Sequence, residues 1–508
     1  MLISEKTKQV EFGDFQTPPA LARQICQLLY SQGLRPASIL EPTCGKGTLL
    51  IAAIESFGPI QKVLGLDINL DYIEQAQNAL AVYTDLYNAN AVLGNFFYTD
   101  WATVFNQLPD PILIIGNPPW VTNAEVGTLN GQNLPTKSNF QQFSGLDAIT
   151  GKSNFDISES MLLHLLQQMK NRQGTLAMLC KTSVARKVLA HAWKNHWQMA
   201  DAAIYRIDAK KFFNVNVDAC LLVCQIQNDD TSDNICNIYL SLDRNTYQTT
   251  FGLIDNRLVA DHKLYQQWRH LRGESVYQWR SGIKHDCARV MEFTLEATSY
   301  RNGLGELCDL ENEYLYPLLK SSDVANATHP IPTRWMLVTQ RAVGADTHTI
   351  RLEAPKTWAY LNRHSSRFDN RKSVIYKTQS RFAIFGVGDY SFAPWKVATS
   401  SLYKKLHFAV IAPYAGKPVV LDDTCYSIPC ATQAEAEYLA TLLNSDIAAQ
   451  FFSALIFWDN KRPITVEILH QLDIAAIAKE LGGLDQLTRL TSVLFCPHTE
   501  AEQLSLFV

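Results

Sequence analysis

The amino-acid sequence predicts an α/β protein whose open, mainly parallel sheet presents a ligand crevice along its carboxyl edge. Three observations predict it. Short apolar runs occur at Ser38-Ile39-Leu40, KVLGLDI, NAVLGNFF and Ile112 to Ile115, the length and character of buried strands. A glycine-containing loop, Glu41 to Gly47, joins the first run to a helix opening at Thr48. Gly45 and Gly47 there let the backbone approach a ligand closely at a helix N-terminus. The runs end in turn at Glu41, Asp67, Asn95 and Asn117, polar side chains placed where ligands of such sheets bind.

Taken in order, the chain first offers Thr17 as the cap of a helix carrying Pro18 and Pro19 in its first turn, where missing N–H groups cost little. Leu21, Ile25, Leu28 and Leu29 make that helix's apolar stripe. The loop that follows contains neither GxxxxGK[ST] nor a full GxGxxG, so it is no phosphate loop. Its Glu41 suits a ligand that carries positive charge. Asp67, twenty residues after Gly47, is placed to accept from ribose hydroxyls. Asn95 can bond an adenine amino group, with Phe96 against the ring.

The fourth strand runs into Asn117-Pro118-Pro119-Trp120. Asn117 offers a side-chain carbonyl and Pro118 a backbone carbonyl without an N–H. Two prolines stiffen the turn, and Trp120 adds a flat apolar face. Two acceptors beside a stacking plane suit a planar group bearing an NH2. Residues 123–153 are long, polar and rich in Gly, Asn, Gln and Ser, with Lys137 and Lys152, as in functional loops. Asp156 and Glu159 fit a capping box for ISESMLLHLLQQM. TLAMLC is a fifth strand, Lys181-Thr182-Ser183 lead into a helix, and AAIYRID and ACLLVCQIQ are two more strands. Phe212 and Phe213 sit in the turn before the last of these, so at least one is expected to face the cleft.

A chain of 508 residues, 47% hydrophobic and 19% charged, has the composition of a globular protein of two or more domains. MLISEKTKQVEFGDF lacks the apolar core of a signal peptide, and no apolar run is long enough to span a bilayer. Eleven cysteines include no CxxC pair, and Cys220 and Cys224 read as core of a strand. Reduced thiols, a cytoplasmic location and no metal site are expected.

In their order these motifs resemble an S-adenosylmethionine-dependent DNA amino-methyltransferase of the adenine-N6 kind. QTPPALA is similar to the family's N-terminal methionine-binding motif, ILEPTCGKG to its main cofactor loop and NPPW to its catalytic tetrapeptide. The order resembles the gamma class, in which target recognition follows catalysis. The resemblance implies a class I methyltransferase fold, Rossmann-like, with a seven-stranded mainly parallel sheet whose last strand is antiparallel. It places Thr17, Glu41, Thr43 and Gly45 around the methionine part of S-adenosylmethionine, Asp67 at the ribose, and Asn95 (commonly Asp in the family) with Phe96 at the adenine. Asn117, Pro118, Pro119 and Trp120 become catalytic, and Trp120 and Phe213 stack on a flipped target base, with Phe212 as fallback. Double-stranded DNA is the implied partner, with room for a separate cognate restriction endonuclease or defence-system partner.

A polar acidic stretch, Asp229 to Asn234, marks the expected boundary between a catalytic domain, 1–229, and a mixed α+β target-recognition domain, 230–508, whose first part, to 330, is a connecting segment. Lys284-His285-Asp286 reads as a solvated turn. The whole chain carries −4, yet residues 331–410 hold thirteen Lys and Arg against four Asp and Glu, a local +9. Such a segment, with Tyr360, Phe368, Tyr390 and Trp395 interleaved, suits DNA. Arg363, Arg367, Arg371, Lys372 and Lys396, with Lys152 and Lys181, are its candidate DNA contacts. AEAEYLATLLNSDIAAQFF reads as one amphipathic helix. Cytosine-N4 methylation, methylation of RNA or of a protein glutamine, and a non-catalytic DNA specificity module are the competing readings. The basic second half weighs against the RNA or protein-glutamine reading, and the intact Asn117–Trp120 segment with Glu41 and Asp67 weighs against the specificity module.

Overall fold

The first seven strands form around short apolar runs, most deeply buried in the middle of the sheet. They are β1 (Ser38–Glu41), β2 (Lys62–Asp67), β3 (Ala89–Leu93), β4 (Ile112–Gly116), β5 (Gly174–Lys181), β6 (Asp201–Ile207) and β7 (Ala219–Ile226). Every residue of β1 and β4 is buried. The computed structural model describes residues 15–121, 156–227, 234–296 and 299–491. It divides into two compact units, Met1–His262 and Lys263–Val508.

In the first unit the strands lie in the order β3-β2-β1-β4-β5-β7-β6. β3, β2, β1, β4 and β5 run parallel to one another, whereas β7 runs antiparallel to both β5 and β6. The strand order reverses between β1 and β4, which creates a crevice at their carboxyl ends. Helices α1 (Pro19–Ser31), α2 (Thr48–Phe57), α3 (Leu70–Leu80), α4 (Ile157–Gln168), α5 (Thr182–Lys194) and α6 (Ala209–Phe213) belong to the same unit. α1 buries Leu21, Ile25, Leu28 and Leu29 in one core with α2 and the sheet.

The sheet is wider than the seven strands expected. β8 (Ile235–Tyr239), β9 (Tyr247–Ile254) and β10 (Arg257–Val259) continue it beyond β6, to ten strands. The first unit therefore runs past the expected boundary at 229/230 and ends at His262. An acidic polar stretch can join two strands of one sheet as readily as it can link two domains. Two caps also differ. α1 starts at Pro19 and its cap position is Pro18, which supplies no side-chain bond, so Thr17 is not the cap. Asp156 caps α4 through Ser158 N, while Glu159 reaches Lys187 Nζ at 3.3 Å.

The second unit holds β11 (Arg280–Ser281), β12 (Glu292–Glu296), β13 (Ser299–Asn302), β14 (Leu307–Cys308), β15 (Leu315–Leu319), β16 (Arg334–Leu337), β17 (Trp395–Ser400), β18 (Ala409–Ile411), β19 (Val420–Leu421) and β20 (Cys425–Cys430). One sheet has the order β14-β13-β12-β16-β15-β19 and the other β11-β20-β17-β18. The expected single C-terminal helix is two, α7 (Gln433–Leu443) and α8 (Asp446–Leu455), because Ser445 caps the second through Ala448 N. No helix among the described residues is long and apolar enough to cross a membrane.

Candidate active site

Glu41 ends β1 at the switch point and is almost fully buried. Its Oε2 has no hydrogen-bond partner. Burial pushes the Glu41 carboxyl well above the usual carboxylate range; a backbone hydrogen bond at Leu50 opposes this, and the charge of Asp67 adds to it. Thr43, two residues on, has a buried Oγ1 that is also unpartnered. Such orphaned atoms in a native fold call for an explanation, and an absent ligand is one.

The turn after Thr43 is built on glycine. Gly45 has φ +50 and Gly47, the cap position of α2, has φ +80, both in the left-handed region that glycine enters freely. Gly45 N donates to Asp67 Oδ2 at 2.8 Å, and Asn69 N to Asp67 Oδ1 at 2.9 Å. Asp67 thus ties the end of β2 to the glycine turn. Gln16 lies over the same turn and accepts from Lys46 N at 3.3 Å. A Cβ on Gly45 would meet Gln16 Oε1 at 2.6 Å. Thr17 beside it is buried.

At the third strand end, Asn95 Oδ1 accepts from Phe97 N at 2.9 Å, capping a short turn at Phe96–Tyr98. Phe96 is buried against Trp101, with ring centroids 4.8 Å apart, and against His164 at 5.8 Å. His164 Nε2 is buried without a partner, and burial holds its pKa below the ordinary value.

At the fourth strand end the amide of Asn117 has a defined orientation. Its Nδ2 donates to the Phe15 carbonyl at 2.7 Å. A carbonyl only accepts, so the nitrogen must face it and Oδ1 points the other way. That Oδ1 is buried and unpartnered. Pro118 is buried and Pro119 half-buried. Trp120 is buried and donates from Nε1 to Leu179 O at 3.3 Å. Its ring meets Phe213 edge-on at 5.2 Å and Phe15 at 5.9 Å. Phe212 is only partly buried, with Lys211 Nζ 5.2 Å from its ring.

The structure therefore brings Thr17, Glu41, Thr43, Gly45, Asp67 and Asn117 to one crevice edge, with Asn95 and Phe96 at the neighbouring strand end. Sequence reasoning passed over Phe15, Gln16 and His164. Phe15 acts partly through its backbone carbonyl, which no residue type announces.

Two candidate DNA contacts are structural instead. Lys396 is buried, and its Nζ donates to Ala393 O at 2.7 Å and Val419 O at 2.9 Å. Burial lowers its pKa to about 7. Arg371 bonds the carbonyls of Phe368, Ala383, Arg381 and His285 and lies 3.6 Å from the Tyr376 ring centre. Its burial lowers its pKa. Lys181 is engaged with Asp156 Oδ2 at 2.6 Å. Arg363, Arg367 and Lys372 are exposed. The expected functional loop (123–153), with Lys137 and Lys152, lies outside the described residues. Tyr360 and Phe368 face a core, not solvent. His285, expected in a solvated turn, is buried 3.4 Å from Glu292. Cys220 and Cys224 are buried in β7.

Residues 2–303 match the family model described as N-6 DNA Methylase. The chain is 46% identical over 477 residues to the type II methyltransferase M.NspV of Nostoc sp. (strain ATCC 29411 / PCC 7524), an alignment covering 94% of this chain and 98% of that one. Among solved structures it is similar to the type IIL restriction-modification enzyme MmeI in complex with DNA, with a TM-score of 0.53 and 15% identity over 89% of this chain. The match covers 64% of that larger enzyme.

Proposed function

Since this chain belongs to the N-6 DNA methylase family, and is an adenine-specific DNA methyltransferase using S-adenosylmethionine, we propose that it methylates the exocyclic N6 of an adenine flipped out of double-stranded DNA, at a specific sequence, within restriction-modification. The observation that carries the site assignment is Asn117 Oδ1, buried, unpartnered and oriented by the Phe15 carbonyl. We assign catalysis to the first unit and target recognition to the second. The motif order, with Thr17 ahead of Glu41–Gly47 and Asn117–Trp120 after it, supports the gamma class. The protein acts in the cytoplasm, where a separate endonuclease is the partner that such a system would supply.

The residues fit the cofactor. Glu41 Oε2 and Thr43 Oγ1 are acceptors for the ammonium of its methionine part, and Asp67, an acidic residue ending the second strand, is assigned to the ribose hydroxyls. S-adenosylmethionine, when bound, supplies an electrophilic methyl group. Asn95 and Phe96 flank the adenine end. The lone pair of the adenine amine is delocalised into its ring, so the amine is a poor nucleophile. Asn117 Oδ1 and the Pro118 carbonyl each accept one N–H, which draws the nitrogen toward tetrahedral geometry and frees its lone pair. These fixed acceptors also stabilise the positive charge that develops on nitrogen. Trp120 and Phe213 receive the flipped base. Their edge contact must open for this.

Asn117→Ala is expected to keep cofactor and DNA binding and to lose most single-turnover methyl transfer, because its acceptor works chiefly in the transition state. A wild-type rate would refute the mechanism. Modified-base sequencing of DNA from cells expressing the chain tests the product. N4-methylcytosine in place of N6-methyladenine would overturn the substrate.

A further inference from the structure

Trp120 and Val121, at the end of the catalytic segment, are held by a closed ring of contacts that passes through an ion pair between buried Asp156 and half-buried Lys181. Trp120 Nε1 donates to Leu179 O at 3.3 Å on β5. Two residues along β5, Lys181 Nζ lies 2.6 Å from Asp156 Oδ2. The next residue after Asp156, Ile157, donates from its N to Val121 O at 2.9 Å, and Val121 follows Trp120. Asp156 is itself fixed at the start of α4. Its Oδ1 accepts from Ser158 N at 3.2 Å and from Ser158 Oγ at 2.5 Å. On its far side β5 is anchored by Thr182 N donating to Asp218 O at 2.9 Å.

We propose that Asp156 and Lys181 form a positioning pair for methyl transfer, which seats Trp120 and Val121 and thereby aims the Asn117 and Pro118 acceptors. The inference rests on the assignment of Asn117–Trp120 as the catalytic segment. Asp156 is only 6% exposed. A buried carboxylate that loses its cation is left uncompensated and is driven toward water. Movement of Asp156 would pull on Ile157 and so break the ring at Val121. The acceptors at Asn117 and Pro118 lie four and three residues before Val121, on a segment stiffened by two prolines, and a small misplacement of acceptors is costly to the chemical step while leaving binding nearly intact. Lys181 is in this account no phosphate contact, since its charge is already matched by Asp156.

The test uses the full-length enzyme with S-adenosylmethionine and unmethylated genomic DNA, in single-turnover transfer of labelled methyl groups. Lys181→Met is expected to slow transfer by between about 10- and 100-fold, with cofactor and DNA dissociation constants changed by less than about twofold. Lys181→Arg keeps most of the rate. The double variant Asp156→Asn with Lys181→Met recovers rate relative to Lys181→Met, because no uncompensated charge remains. If Lys181→Met fails to fold, Asp156→Asn carries the same rate test. The pair is overturned if Lys181→Met and Asp156→Asn transfer at the wild-type rate while Asn117→Ala is inactive. It is equally overturned if Lys181→Arg is as slow as Lys181→Met, or if the loss takes the form of weaker DNA binding with a flatter salt dependence. A fully active Asn117→Ala would instead remove the underlying assignment of the tetrapeptide.

Discussion

Glu41 combines burial, an unpartnered oxygen and a pKa raised mainly by desolvation, so its charge state and its ligand are linked. A cationic group needs the carboxylate form. Binding it must lower the Glu41 pKa and release a proton wherever the free enzyme holds one. The sign follows: cofactor affinity should fall as pH drops through the raised pKa, and heats of binding should differ between buffers of different ionisation enthalpy. Glu41→Gln should abolish the proton release and weaken binding by about 1.5–3 kcal/mol, the scale of a charge-assisted hydrogen bond. Calorimetry showing unchanged affinity would remove Glu41 from the site. Glu41, Asp67 and Asn117 were legible in the sequence because a polar residue ending an apolar run stands out. Gln16 and His164 were not, since their roles come from elements that meet only in the fold. The capping role of Asn95 is local and was hidden by the more attractive reading as a ligand contact.

At the level of elements, the second unit shows what a count of charge leaves out. Residues 331–410 carry +9, but a sum has no direction. β17 is buried along nearly its whole length between β20 and β18, and Lys396 is carried inside with it. Arg371 gathers carbonyls from the chain around Phe368 and Arg381, leaving neighbours Arg367 and Lys372 exposed. The alternation that would have separated inward from outward residues is masked in short strands buried on both faces. A testable consequence lies in the pH dependence of stability. The Lys396 pKa is about 7 in the fold, against 10.5 for an ordinary lysine. Between these values the unfolded chain binds a proton that the folded chain does not, so stability rises with pH across that window. Lys396→Met should lose this rise, seen as a smaller change in melting midpoint between about pH 7 and 9, and should leave DNA affinity unchanged. A midpoint that responds to pH as in wild type would show that Lys396 is not the titrating group.

On the scale of the whole molecule, the ten-stranded sheet decides where the chain can be cut. Ending it at Asp229 removes β8, β9 and β10 and bares the edge of β6, a template for aggregation. Ending it at His262 keeps the sheet whole. The longer fragment should stay soluble and bind S-adenosylmethionine, whereas the shorter one should aggregate; equal behaviour by circular dichroism and light scattering would argue against β8–β10 as part of the catalytic unit. The proposed division of labour makes a sharper demand on the second unit. Arg363, Arg367 and Lys372 lie within ten residues and are exposed, in contrast to Lys396 and Arg371. If they face phosphates, each neutralisation should weaken specific and random duplexes alike and reduce the salt slope by about one counterion. If one reads a base edge, its loss should cost roughly 1–3 kcal/mol on the cognate site and relax preference at a single position. Binding to both kinds of duplex across a salt series separates the two cases, because only phosphate contacts change the slope without changing the ratio of affinities. Should the triple variant keep affinity, slope and preference together, these three residues are not the recognition surface, and the positive charge that holds DNA must be sought elsewhere in the chain.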